Sequence, residues 1–376
     1  MSLGIAGMGW VTPLGTGVEC VWERLLKGDE AVAEKLTGQP GDQSYLVFRV
    51  PDWALVDLPA NPRLRRVSAI SRFAVAAGLQ ALKNSGVTIG ADNAERIALV
   101  FAVSNGGVIY TRRFYSDIVA SGAQAASPLL FPETVFNAPA SHLAALLGTT
   151  GATYTIVGDG AVGLLALRMA EDLMDNEKLD YCLIVGAEEV DWLLCDAYRQ
   201  WRLLRSAPPM EPFRAPPRGI VLSEGAGAIL LARKGAIELD RTHPGGSYSN
   251  RSAAAEVLNS VVTELADSEI DLIVCSANGT FVDQAEAAAI SQLGSKAPVY
   301  TVKPALGESV GASGLWQIIV AAQALRTRKL PPLLHGPAQM RLGLRSGSPA
   351  ATARSALVIN CGLNQQVAGL RLVNRT

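Results

Sequence analysis

Short apolar runs bounded by Gly, Asn or Asp recur along this chain, with helical stretches between them. LGIAGMGWV, IALVFAVSN, TYTIVGD, YCLIVGAEE, GAILLAR, DLIVCSANGT, PVYTVK and ALVINCG read as buried strands. Between them RFAVAAGLQALKNSG, SHLAALLG, GLLALRMAEDLMDNEK, QAEAAAISQLG and GLWQIIVAAQALRTRKL carry helical apolar spacing, many ending in Gly or Lys/Arg. Strands apolar on both faces must be covered on both faces, so this alternation demands an α/β architecture with helices packed outside the sheets. Three stretches fall outside the pattern: residues 31–57, the Pro-rich 206–218, and 241–251, which reads as a connection between two halves of comparable strand–helix content.

Composition narrows the function classes. The 376 residues are 49% apolar and 18% charged, ample for a core, and the formal net charge of −1 gives no overall pull toward nucleic acid or an anionic membrane. Five scattered cysteines form no CxxC and no Cys/His cluster, which suits reduced thiols and speaks against a structural zinc; no metal is expected. The opening MSLGIAGMGW lacks a signal-peptide pattern, and runs such as IALVFAV fall well short of the ~20 residues that span a bilayer. The expectation is a cytoplasmic protein.

The sharpest local feature is TIVGDGAVGLLAL, Thr155 to Leu167. Strand, small-residue corner and helix make the architecture of a nucleophile elbow, which pushes one reactive side chain forward. At the corner stands Gly160, with nothing to push.

These motifs, taken in order, resemble the β-ketoacyl synthases of the thiolase fold over essentially the full length. GMGWVTPLGTG with VWERLLKG matches that family's first strand and helix. NPRLRRVSAISRFAVAAGLQAL, FNAPASHLAALLGTTGATYT, IVGAEE, PFRAPPRGIVLSEGAGAILL and VKPALGESVGASGLWQ follow in register. The resemblance implies two pseudo-duplicated halves, residues 1–235 and 236–376, forming a layered α-β-α-β-α core. It also implies an elbow cysteine where Gly160 stands, a histidine at Asn278 within ANGT, and a second histidine at Glu308 within KPALGES. Lys303 alone is retained, and the family's C-terminal Gly-Phe-Gly-Gly loop is reduced to GLNQ. Without a thiolate there is no acyl acceptor. An ionised Glu308 would oppose both an incoming carboxylate and a developing enolate, although Asn278 could still donate a hydrogen bond.

A narrower resemblance is to the chain-length factors, or KSβ subunits, of bacterial type II polyketide synthases, which naturally lack the cysteine. Their elbow commonly reads acidic-Gln-Ala-x-Gly-Leu-x-Ala-Leu; Asp159 to Leu167 fits except that Gly160 replaces the Gln tied to decarboxylative priming. This implies a heterodimer with an active ketosynthase and service by an acyl carrier protein, whose phosphopantetheine is the one prosthetic group expected. It implies an interface strand through Tyr154, Thr155, Ile156 and Val157, and glycines that ease the corner and keep the cavity floor open. It also implies a cavity drawing on Val108, Thr111 and Tyr115, spaced i, i+3, i+7, together with Asp159 and Gly160. In that cavity Val108 would deepen the pocket and Tyr115 would cap it. An aromatic poly-β-keto product is the first expectation, and an aryl-polyene or polyene system is the alternative. A different class would be an acyl-thioester hydrolase or decarboxylase built on Asp159, Asn278, Lys303 and Glu308, with a Lys303–Glu308 ion pair as the structural alternative to that chemistry. A third is a protein that sequesters carrier proteins. Arg63, Arg65 and Arg66, and Arg199, Arg202 and Arg205, are candidate docking charges.

Overall fold

The computed structural model describes residues 3–38, 43–175, 178–266, 269–337 and 353–375. Ten strands carry the fold. The first five are β1 (Leu3–Thr12), β2 (Ile97–Val103), β3 (Thr153–Val157), β4 (Tyr181–Glu188) and β5 (Gly225–Ala232). The second five are β6 (Ile237–Thr242), β7 (Leu272–Val274), β8 (Val299–Tyr300), β9 (Ser355–Cys361) and β10 (Gln366–Asn374). The first set lies in the order β3-β2-β4-β5-β1 and the second in the order β8-β7-β9-β10-β6, which is the same order. Directions repeat as well: β2 pairs in parallel with β3 and β4, and β7 with β8 and β9, while the remaining neighbours are antiparallel. The duplication is thus explicit in topology where no repeat shows in sequence. The two sets join where β1 pairs with β6, Leu3 opposite Leu239 and Ile5 opposite Ile237.

The helices are α1 (Val18–Leu26), α2 (Ala69–Ser85), α3 (Val108–Ser121), α4 (Ala138–Leu147), α5 (Val162–Met174), α6 (Trp192–Gln200), α7 (Ala254–Leu265), α8 (Phe281–Gln292), the single turn α9 (Lys303–Leu306) and α10 (Val310–Thr327). From Val310 to Leu325 every residue of α10 is buried, as a helix apolar on all sides must be. With α5 it forms the middle layer, touching strands of both sets, while α2 and α4 cover the outer face of one set and α7 and α8 that of the other. This is the thiolase-like α-β-α-β-α arrangement. The middle helices approach closely at Gly163 and Gly314, where a Cβ on Gly163 would lie 2.9 Å from the Leu315 nitrogen.

Two of the stretches read as irregular are not. Within 31–57 a hairpin pairs Ala33–Thr37 with Ser44–Phe48 and buries Tyr45 and Phe48, anchored where the Phe48 nitrogen donates to the Leu222 carbonyl. Residues 39–42 of that stretch lie outside the described residues. Residues 241–251 do not join the halves: β6 runs through Thr242, and Gly246–Ser247 pairs with Gln366 and Val367 inside the second set. The crossing is the four-residue turn 233–236, tight because β5 and β6 flank the same strand β1.

Candidate functional site

β3 delivers the chain to the elbow and α5 leads it away. The Gly158 nitrogen donates to the Val103 carbonyl (3.1 Å), and the Val162 nitrogen donates to the Asp159 carbonyl (2.9 Å), closing the corner. Neither Gly158 nor Gly160 has positive φ, so the corner turns in a conformation open to any residue. The expectation that both glycines relieve backbone strain is therefore corrected. Gly158 is needed for close approach, since a Cβ there would lie 2.5 Å from Gln366 Oε1; at Gly160 a Cβ would meet Asn360 Oδ1 at 3.3 Å and the Gly362 Cα at 3.5 Å. A Cβ at 160 therefore fits only if Asn360 gives slightly. Asn360 Oδ1, buried beside the corner, has no partner.

Asp159 is a clamp. Its carboxylate accepts from the backbone nitrogens of Asn364 (2.8 Å), Gln366 (3.4 Å) and Ala161 (3.4 Å), binding the shortened C-terminal loop to the elbow. Gly362 lies so close beneath it that any Cβ would collide with the carboxylate. Burial pushes the Asp159 carboxyl above its ordinary range; the three N–H donors pull it down, and the charge of Glu308 adds to the rise.

Glu308, placed after the turn of α9, is the centre of a saturated hub. Its Oε1 takes the Lys303 ammonium and the Ser313 hydroxyl (2.9 Å), and its Oε2 takes Asn278 Nδ2 (2.8 Å). Asn278 Oδ1 in turn accepts from the Thr280 hydroxyl (2.7 Å). Lys303 is 1% exposed, and Asn278 and Glu308 are each 2% exposed. The sequence leaves open whether Lys303 and Glu308 form an acid–base set or an ion pair; the structure closes them into an ion pair with every carboxylate oxygen engaged. Two acids of the DQAEA run that follows ANGT, Asp283 and Glu286, hold the hub's frame. Asp283 accepts from the Asn278 (2.7 Å) and Gly279 (3.0 Å) nitrogens, and Glu286 accepts from the Ser276 nitrogen (2.8 Å) and hydroxyl (2.6 Å). Burial pushes their carboxyls up to about 6 and about 7.

The three histidines lie elsewhere. His142 pairs with buried Glu133 (2.5 Å), His243 with Glu264 (3.2 Å) and His335 with Glu30 (2.5 Å). Among the described residues no group of three His, Cys, Asp or Glu side chains could hold a metal ion, and no helix is long and apolar enough to cross a membrane.

The five residues expected to share one cavity are divided between two places. Asp159 lines a vestibule of about 380 Å³ with Tyr198, Trp201, Tyr248 and Arg251, with Gly160 next to it in the corner. Val108, Thr111 and Tyr115 line a separate groove of about 460 Å³ with Arg112, Val119 and Leu193. The two have no lining residue in common because α3 packs on residues 123–134 instead of on the sheet, and none of its residues is buried. Tyr115, 60% exposed and edge-on to Phe114, caps no closed pocket in the single chain. Tyr154, Thr155, Ile156 and Val157 form the outermost strand of their set, β3, paired with β2 alone. Tyr154 and Val157 are 44% and 47% exposed.

The two arginine groups also separate. Arg199 is engaged by Asp196 (2.9 Å) and Tyr45, and Arg205 is mostly buried against Glu211, so only Arg202 of that trio stands open. Arg63, Arg65 and Arg66 are exposed on and beside the turn Pro62–Arg65. Exposed Arg72 and Arg113 stand near Tyr110, whose hydroxyl donates to the Arg66 carbonyl (3.4 Å). Burial raises the Tyr110 phenol, Glu133 and Glu189 add to that, and the charges of Arg72 and Arg113 oppose it.

Comparison with known proteins accords with this geometry. The N-terminal domain model of the β-ketoacyl synthases matches residues 2–236 and the C-terminal domain model residues 232–336. Nodulation protein E of Rhizobium leguminosarum bv. trifolii is 26% identical over 355 residues, covering 87% of each chain. 3-Oxoacyl-[acyl-carrier-protein] synthase 2 of Vibrio harveyi is 24% identical over 362 residues, 88% of this chain and 87% of that one. Among solved structures, the ishigamide ketosynthase/chain length factor superimposes with a TM-score of 0.87 at 22% identity, over 100% of this chain and 99% of that one.

Proposed function

The chain belongs to the β-ketoacyl synthase family, and from that premise we propose that it is the non-condensing chain-length factor of a type II polyketide synthase, paired with a cysteine-bearing ketosynthase. One observation carries the reading. The elbow keeps its backbone corner but has no nucleophile, while the flanking polar groups have satisfied one another around Glu308. Condensation needs a thiolate, which the glycine corner does not supply, and the Lys303 and Asn278 side chains that could face a developing charge are bonded to Glu308.

The partner would contribute the condensing centre and this chain the wall of the shared cavity. The unpaired outer edge of β3 supports such a pairing, because an exposed strand with free backbone groups and apolar side chains requires cover. The exposed arginines around Tyr110 suit an acidic carrier protein bearing the acyl chain on its phosphopantetheine arm. A stand-alone hydrolase or decarboxylase is less well supported. It would need Glu308 or Asp159 as a base, yet Glu308 is fully engaged and Asp159 is tied to the backbone of the loop.

The test is affinity purification of this chain from its own host followed by native mass spectrometry. A one-to-one complex with a cysteine-containing ketosynthase is expected. A homodimer or monomer that hydrolyses acyl thioesters would overturn the reading.

A further inference from the structure

We infer that the Pro-rich loop 205–218 carries a binding site for a doubly charged phosphate, free or as a monoester, which the subunit reading above neither uses nor requires. Three guanidinium groups close on one carboxylate there. Arg205 Nη2 and Arg218 Nη1 each reach Glu211 Oε2 at 3.3 Å, and Arg214 Nη1 donates to Oε1. Charge-assisted bonds to a carboxylate ordinarily run about 2.7–2.9 Å, so two of the three cations hold Glu211 only slackly. Among the described residues no other carboxylate pairs with any of them. Burial works to raise the Glu211 carboxyl, but the Arg214 bond and the surrounding cations hold it below its ordinary range, so it is ionised. Three cations against one anion leave an excess of two positive charges. The Arg205 side chain is only 9% exposed; its Nε is committed to the Ala207 carbonyl, while its buried Nη1 has no partner. A buried N–H with nothing to receive it costs free energy that an oxyanion recovers. Burial pulls the Arg205 guanidinium below its ordinary range, Glu211 opposes that, and Arg218 and Arg214 add to the fall. A second anion relieves it.

The loop is preset for this role. The Arg205 nitrogen donates to the Ile220 carbonyl (2.9 Å) and the Gly219 nitrogen to the Gly279 carbonyl (2.7 Å), so both ends are fixed. Between them the Phe213 nitrogen is taken by Asp283 Oδ2. Little ordering is left for a ligand to impose. Arg214 and Arg218, 39% and 50% exposed, offer guanidinium forks at the surface, and Arg205 is the buried third charge. Such forks match phosphate oxygens two at a time. The charge excess selects among phosphates. A phosphate monoester carries close to two negative charges near neutral pH, whereas a phosphodiester or an acidic side chain carries one. The dianion neutralises the cluster; a monoanion leaves half of the excess in place.

The experiment uses the full chain, purified together with whatever accompanies it. Inorganic phosphate, glycerol phosphate and dimethyl phosphate are titrated by calorimetry at about pH 8, where the first two are dianions. The dianions are expected to bind roughly tenfold or more tightly than dimethyl phosphate. Arg218→Gln, a change at a half-exposed side chain, should weaken them roughly tenfold. Glu211→Gln removes the competing carboxylate and should tighten them, a change of sign that loss of structure does not mimic. Circular dichroism checks the fold of both variants, and if Glu211→Gln fails to fold, Arg218→Gln decides alone. Tighter glycerol phosphate identifies an ester as the ligand and tighter inorganic phosphate the free ion; either result supports the site. Absence of dianion binding, equal binding of dimethyl phosphate, or an affinity indifferent to Arg218→Gln overturns the inference, as does weaker binding in a folded Glu211→Gln.

Discussion

The hub around Glu308 and the surface formed by α3 and β3 treat their polar and apolar groups in opposite ways. In the hub, a carboxylate, an ammonium, an amide and a hydroxyl are all buried, and the bonds among Lys303, Glu308, Asn278 and Ser313 leave no oxygen of Glu308 unengaged. On the surface, Tyr115, Val119, Tyr154 and Val157 stand open, and one strand edge has no neighbour. The lesson is about where reactivity and association reside. Polar groups that satisfy one another become structure, while apolar groups left uncovered keep free energy for a partner.

The comparison breaks hardest at the hub. Glu308→Ala strands the Lys303 ammonium in a dry interior and is expected to cost about 3–5 kcal/mol, read as a lowered urea midpoint. The double substitution Lys303→Met with Glu308→Leu should restore much of that loss. An unchanged midpoint in Glu308→Ala would show that the pair carries no such burden. The surface should respond in the converse way. Tyr154→Asp with Val157→Asp is expected to leave the midpoint in place while weakening association with the ketosynthase by roughly a hundredfold, as loss of central apolar anchors does. Normal co-purification of that variant would place the interface elsewhere.

A smaller effect belongs to the arginines. Reversing Arg63, Arg65 and Arg66 to Glu should weaken carrier-protein binding roughly tenfold at low salt and flatten its salt dependence. Surface plasmon resonance across a salt series reads both, and an unaltered slope would dismiss the patch. The core acids add a pH dependence. Burial, the largest cause in each case, pushes Glu188 up to about 8 and Glu189 up to about 7. Both folded values lie above the ordinary glutamate value of about 4.3. The stability these groups contribute is therefore complete below that value and is lost as the pH rises through the folded values. Urea midpoints should fall as the pH rises from about 4 to about 8, with Glu188→Gln lessening the decline. The mildest change is Gly160→Cys. A Cβ there would stand 3.3 Å from the unpartnered Asn360 Oδ1, which must give slightly, so the substitution should cost about 1 kcal/mol. It should confer no condensation in a radiolabelled malonyl assay, since Asn278 and Glu308 still lack the imidazoles; measurable product would mean the hub is less committed than its bonds imply.

How much of this was legible depended on the range of the interactions involved. The alternating runs give the strands and helices because periodicity is local, and the run GLWQIIVAAQAL already indicates the buried α10. The missing nucleophile at Gly160 and the exchanged positions Asn278 and Glu308 are read directly from matched motifs. The hairpin within residues 31–57 was missed because short polar-rich strands such as AEKLT have little periodicity of their own, and it holds by pairing with SYLVF. The i, i+3, i+7 spacing of Val108, Thr111 and Tyr115 does place them on one groove. That this groove is separate from the elbow follows from how α3 docks on residues 123–134, which spacing does not encode.

By itself, then, the sequence determined the α/β class, the family resemblance and the absence of the condensing thiol, because these reside in residue identity and short-range pattern. Only the tertiary structure decided that Lys303 and Glu308 neutralise each other, that Asp159 clamps the loop at Asn364, and that the glycine corner is unstrained. The clamp joins atoms 205 residues apart, the ion pair depends on the turn of α9 folding Glu308 back onto Lys303 in a dry interior, and the corner depends on a backbone angle set by the packing around it; the direction and partner of a buried charge are fixed only once the fold has removed the water.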